Sequence, residues 1–205
     1  MFSIASTYPN VNQVGLADLC KKPYNRPMDK TAPAVETPSW MSHVRIRQLQ
    51  ENDLPALEWD GEYAHFRRLY ADAYLRMQKK LAVHWVAELS RVGIIGQVFV
   101  QLTCDRPELA DGHNRAYLYS FRIRPAYRGQ GLGTLVMQTV ENDLRRRRYR
   151  AITLNVAKDN YAAARLYQRL GYIIVAHEPG VWSYPDDDGI WHHMQEPAWR
   201  MEKRL

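Results

Sequence analysis

Cysteine is almost missing: Cys20 and Cys104 are the only two in 205 residues. They form no close pair, so neither a disulfide framework nor a cysteine-built zinc site has support. Nowhere do roughly 18 consecutive apolar residues occur, which leaves nothing to cross a bilayer as a helix. The N-terminus has no basic stretch followed by the apolar run of a secretory signal. A second basic cluster with interleaved aromatics is also lacking, and this argues against nucleic acid as a partner. Together these absences disfavour secreted, membrane-spanning and nucleic-acid-binding classes and point to a reducing, cytoplasmic setting.

What is present fits one domain with a sizeable core: 46% of residues are hydrophobic and 24% charged. The net charge of +6 suits an anionic partner, and a phosphate-bearing cofactor satisfies it as well as nucleic acid does. The densest basic run, Arg145 to Arg148, with Arg150 just beyond, falls where a helix would end and complements its negative pole. Residues 1–40 read differently. Pro9, Pro23, Pro27, Pro33 and Pro38 interrupt any period, so this stretch is expected to be a flexible leader to a domain over residues 41–205. Met41 looks like a natural start, which raises the hypothesis that the leader comes from an upstream start; intact mass of natively expressed protein tests it.

From His43 the pattern is regular. "VRIRQL" reads as a strand, and Asn52 or Asp53 can cap a helix carrying Pro55 in its first turn. Phe66, Tyr70, Ala73 and Met77 recur at helical spacing. "LAVHWVAEL" and "GQVFVQLTC" read as a hairpin. "AYLYSFRIRP" alternates Tyr117, Tyr119, Phe121 and Ile123 against Leu118, Ser120, Arg122 and Arg124, a strand stopped by Pro125. Leu132, Val136, Val140 and Leu144 then mark a long amphipathic helix. A strand through Ile152, Leu154 and Val156 leads to a shorter helix from Tyr161 to Leu170 that Gly171 ends. "YIIVAHE" and "PAWRMEKRL" close the chain as two strands around a Pro/Gly/Asp-rich loop.

Between that stopped strand and the long helix stand Gly129, Gly131 and Gly133, preceded by Arg128. Such a turn gathers unpaired N–H groups at the positive end of a helix, without Cβ atoms to hold an anion at a distance. Spacing rules out two other phosphate motifs: the dinucleotide fingerprint needs glycine where Thr134 stands, and no Gly-Lys-Ser/Thr of a Walker loop is present.

"RPAYRGQGLG" resembles the acyl-CoA-binding motif of the GCN5-related N-acetyltransferases (GNAT), matched at Arg128, Gly131 and Gly133. "LNVAKDNYAAARLYQRLGY" is similar to that family's following segment, matched at Asn155, Asn160, Leu166, Tyr167, Gly171 and Tyr172. The resemblance spans roughly Val44 to Arg204. It implies an α/β acyl-CoA N-acyltransferase fold, with a mixed, mostly antiparallel sheet flanked by helices and splayed central strands. It also implies acetyl transfer from acetyl-CoA, with no metal, to the primary amine of a small molecule or peptide.

Residue by residue, the resemblance assigns the pantetheine arm and the thioester carbonyl to the backbone of Phe121, Arg122 and Ile123. Arg128, Gly129, Gln130, Gly131, Leu132 and Gly133 take the pyrophosphate. Asn155, Asn160 and Ala163 take more of the pantetheine arm, and Tyr167 lies near the sulfur as general acid. Water or Glu88 is left as the base. Glu58, Asp60 and Glu62, with Asp186 to Asp188, Trp182, Tyr184 and Trp191, fall where the family builds its acceptor site and would suit a cationic amine. His192 and His193, adjacent on a strand, point to opposite faces and make no metal site. A catalytically silent acyl-CoA-binding module of the same fold is the alternative, and a homodimer stays open.

Overall fold

The apolar runs of the hairpin region are too continuous to face water on either side, and they become the middle of a sheet. A computed structural model describes residues 38–186 and 188–205; the leader expected over residues 1–40 lies outside it up to residue 37. The strands are β1 (Val44–Gln48), β2 (Ala82–Leu89), β3 (Gly93–Gln101), β4 (Arg115–Ile123), β5 (Ala151–Ala157), β6 (Ile173–Glu178), β7 (Val181–Pro185), β8 (Trp191–Gln195) and β9 (Ala198–Arg204). The α-helices are α1 (Arg67–Gln78), α2 (Leu132–Arg146) and α3 (Tyr161–Arg169). Seven strands form one sheet in the order β1-β2-β3-β4-β5-β9-β6, and β7 and β8 form a separate hairpin. Among the described residues only β4 and β5 run parallel; the remaining neighbours are antiparallel.

Two cores cover the two faces. Val136, Val140 and Leu144 of α2, with Tyr167 of α3, pack on Val83, Val98, Val100, Leu118, Ile152 and Leu154. On the other face Tyr70 and Ala73 of α1 meet Val86, Ile94 and Phe99, joined by Leu57 from the 3-10 helix Glu51–Glu58. That 3-10 segment replaces the helix expected to be capped at Asn52 or Asp53. The cap is Gln50, whose backbone N–H donates to Asp53 Oδ2 at 2.8 Å in a reciprocal capping box. The closing Pro/Gly/Asp-rich stretch forms the β7–β8 hairpin, whose second strand carries the adjacent His192 and His193.

One local irregularity sets the site. The alternation along "AYLYSFRIRP" implies that Tyr117, Tyr119, Phe121 and Ile123 share a face. Instead Ser120 sits at φ +49° and the β3–β4 register slips between Gln97 and Phe99, a β-bulge. One extra residue inverts the facing of everything after it. Tyr119 packs in the α1 core, whereas Phe121 and Ile123 pack in the α2 core.

Candidate functional site

After β4, Pro125–Tyr127 form one 3-10 turn and the chain enters α2 through Gly131, the N-cap at φ +97°. Side chains rarely tolerate that backbone, and glycine adopts it freely. The first amide after the turn to donate backwards is that of Leu135, to Gly131 O at 3.1 Å. Among the described residues the N–H groups of Gly129 to Gly133 therefore have no carbonyl partner, and they lie at the positive end of a 15-residue helix. Arg128 donates its Nε to Ile123 O at 2.7 Å, which ties the turn to the end of β4 and leaves both Nη groups for an anion. Gln130 is locked by its side chain: Nε2 donates to Ala126 O at 2.9 Å, and Oε1 accepts from Trp40 Nε1 at 3.1 Å. At Gly133 a Cβ would come within 3.2 Å of Leu166 Cδ2 and 3.4 Å of Ile123 Cδ1, so helix, strand and α3 close up around the turn.

Beside the turn the parallel pair opens. β4 and β5 pair from Arg115↔Ala151 to Leu118↔Leu154 and no further, although β4 continues to Ile123 and β5 to Ala157. The first β5 residue past the last pair is Asn155, and its Oδ1 is buried without a hydrogen-bond partner among the described residues. A buried orphan acceptor costs on the order of 1–3 kcal/mol, so this atom fits an N–H donor entering between the strands, as the amides of a pantetheine arm would. Asn160 differs. Its Oδ1 caps α3 by accepting Ala163 N–H at 3.1 Å, which fixes Ala163 and leaves only Nδ2 to reach outward. Tyr167 of α3 is 6% exposed and its ring lies 5.7 Å from that of Tyr172. Its hydroxyl hydrogen-bonds none of the described residues, and burial, with Tyr117 nearby, pushes its pKa up. The phenol stays protonated at neutral pH and holds a proton it can give.

On the α1 face, the bulge turns Arg122 toward a ring cluster. Its guanidinium lies 4.1 Å from the Tyr63 ring centroid and 5.1 Å from that of Phe66, and Nη1 donates to Tyr70 Oη at 2.7 Å. Burial is the main cause that pushes the Tyr70 pKa up, against the opposing pull of Arg122. Directly across on β3, Gln97 is fully buried. It donates Nε2 to Ser120 Oγ at 3.3 Å, and its Oε1 has no partner among the described residues. The β7–β8 hairpin closes the cluster, with Tyr184 4.9 Å and Trp182 6.3 Å from Phe66.

A sequence profile described as the Acetyltransferase (GNAT) family matches residues 44–172. The chain belongs to this acetyltransferase family. It is similar to an uncharacterized N-acetyltransferase of Bacillus subtilis, 39% identical over 57 residues, 28% of this chain and 36% of the relative. It is also similar to the probable N-acetyltransferase camello of Xenopus tropicalis, 30% identical over 129 residues, 58% of this chain and 55% of the relative. The chain thus spans about half the length, or less, of these curated relatives. Two solved structures share the fold. The ribosomal-protein-S18-alanine N-acetyltransferase from Escherichia coli superposes with TM-score 0.57 at 21% identity, covering 79% of this chain and 94% of that one. The spermidine N-acetyltransferase from Vibrio cholerae in complex with CoA and spermine gives TM-score 0.57 at 19% identity, covering 80% and 96%.

In this GNAT chain the structure gathers Phe121, Ile123, Gly133 and Leu166 around one turn and sets Asn155 at the opening. Part of the acidic set expected at the acceptor site is spent on neighbours. Glu58 is paired with Arg67 at 2.6 Å and Asp60 with Arg124 at 2.9 Å. Asp186 accepts from the amides of Asp188 and Ile190 and meets His192 at 2.7 Å, and Asp187 lies outside the described residues. His193 turns instead to Ser183, at 2.7 Å. Glu88 is held by Arg47 at 2.8 Å, which also grips Asp53. Reading the sequence missed Trp40, placed in the leader yet packed edge-on against Tyr127. It also missed the Ser120 bulge, for which no residue type gave a signal.

Proposed function

We propose that the chain transfers the acetyl group of acetyl-CoA to a primary amine by direct attack within a ternary complex. The observation that carries this reading is the opened β4–β5 pair, with the orphan Asn155 Oδ1, leading straight into a turn of unpaired amides. Acetyl-CoA, when bound, supplies the activated thioester. The amides of Gly129 to Gly133 and the Nη groups of Arg128 hold its pyrophosphate, and Asn155, Asn160 and the Ala163 region hold the pantetheine arm. An N–H in the segment Phe121 to Ile123 polarises the carbonyl, a contribution worth on the order of 10²–10³ in rate. Tyr167 gives its proton to the departing sulfur. With Glu88 bound by Arg47, water takes the proton of the amine.

The test is acetyl-CoA binding by calorimetry beside thiol release over a broad amine panel, for wild type and Tyr167→Phe. Turnover is expected to fall by on the order of 10²–10⁴ in the variant with affinity for acetyl-CoA unchanged. Tight binding with no turnover on any amine would make the chain a silent acyl-CoA module.

A further inference from the structure

Resting on the transferase reading, we infer that the acceptor is an amino acid whose carboxylate is read by Arg122, a specificity-determining residue. Of the partly buried arginines, Arg47, Arg106, Arg115, Arg124 and Arg200 each reach a carboxylate, and Arg76 donates Nη2 to the backbone carbonyl of Thr103 at 2.7 Å. Arg122 is partly buried too, yet among the described residues no carboxylate pairs with it. Its charge is met only by the faces of Tyr63 and Phe66 and by one hydroxyl, that of Tyr70. Ring faces and a phenol offset part of the desolvation of a cation and leave the planar fork open to an anion, the geometry a carboxylate fills with two hydrogen bonds.

The bulge at Ser120 is what places this fork. With unbroken alternation Arg122 would share the face of Leu118, which packs in the α2 core. At φ +49° Ser120 holds a backbone that costs a side-chain-bearing residue about 1–3 kcal/mol, and the inverted facing is its consequence. Arg122 also belongs to the segment proposed to meet the thioester. Amine and carboxylate must then lie a few bonds apart, as in an α- or β-amino acid. A polycation has the opposite requirement. Of the carboxylates that would receive it, Glu58, Asp60 and Asp186 are already engaged by Arg67, Arg124 and His192, which leaves Glu62 and Asp188 as those without an ion pair among the described residues.

The experiment uses matched sets: each common amino acid, its carboxamide and its decarboxylated amine, with spermidine alongside, assayed with wild type, Arg122→Gln and Arg122→Lys. Acetyl-CoA affinity is measured separately for each protein. In at least one set the free amino acid should exceed its amide and amine in kcat/KM by on the order of 10–100-fold. Arg122→Gln should erase that ratio through KM while acetyl-CoA affinity holds, and Arg122→Lys should restore it in part. The inference is overturned if amines or spermidine outrun the amino acids, if acetyl-CoA binds and no set turns over, or if the ratio survives in Arg122→Gln. The wild-type ratios decide even should the variants fail to fold. Absence of acetyl-CoA binding by wild type would instead remove the transferase reading itself.

Discussion

Single residues decide how close an anion comes to the turn. Gly131 stands at φ +97° with only Met41 Cε, 4.0 Å from a would-be Cβ, near it. Alanine there would meet no wall, so its cost is purely conformational, about 1–2 kcal/mol. Gly131→Ala is expected to lower the melting temperature by about 2–8 °C and to weaken acetyl-CoA binding, read by thermal melts and calorimetry on the same samples. An unchanged affinity would mean that the turn does not hold the pyrophosphate. The placement of the glycines and Arg128 at a helix start and of Tyr167 on a short helix was legible in the sequence because it is local: a turn, a charge and a helix position fix one another over a few residues. The orphan Oδ1 of Asn155 was not, since its isolation depends on where β4 stops pairing.

Elements divide the labour between two ends. α2, α3 and the opened strands carry the features assigned to acetyl-CoA, while α1 and the β7–β8 hairpin carry the ring cluster. The hairpin is joined to the rest where Gly180 meets Glu196, whose amide donates to Gly180 O at 2.9 Å. A Cβ on Gly180 would collide with the carbonyl of Glu196, a backbone group that cannot swing aside. Gly180→Ala should therefore displace Trp182 and Tyr184 from Phe66 and raise KM for the acceptor several-fold, with acetyl-CoA affinity intact. Equal loss of both would show that the hairpin serves the whole domain and not the acceptor end. The existence of nearly every element was legible from period and punctuation, Pro125 and Gly171 included. The hairpin was legible in part, with His192 and His193 read as strand residues, although strands this short in a Pro/Gly/Asp-rich stretch otherwise give the pattern of a loop.

At the scale of the whole molecule, one buried histidine ties the α1 layer to the sheet. His84, fully buried in β2, contacts Ala73 O at 2.9 Å through Nε2 and accepts from Val100 N–H at 3.3 Å through Nδ1. Only a neutral ring with its proton on Nε2 does both, and burial, opposed by the bond to Ala73, lowers the pKa from 6.5 to about 4. A histidine depressed in the folded state stabilises fully above its unfolded pKa and progressively less as pH falls toward the folded one. Unfolding free energy is thus expected to hold level above about pH 6.5 and to drop by about 3 kcal/mol between there and pH 4. Urea titrations across that range test this, with His84→Gln as the comparison; an equal slope in the variant would assign the loss to other groups. Among the described residues no helix is long and apolar enough to cross a membrane.

By itself the sequence determined what depends on near neighbours along the chain: the glycine turn at a helix start, the tyrosine on the short helix, the order of strands and helices, and from these the family. Tertiary structure alone decided which charges are spent and which face each side chain takes. Pairing of Glu58 and Asp60 with arginines 9 and 64 positions away takes up part of the anionic lining that the resemblance implied, and Arg47, 41 positions away, holds Glu88. A single bulge at Ser120 then aims Arg122 at the ring cluster of Tyr63, Phe66 and Tyr70. Alternation along a strand carries no mark of where one residue slips against its neighbour, because that slip is settled by pairing with β3, a partner more than 20 residues away.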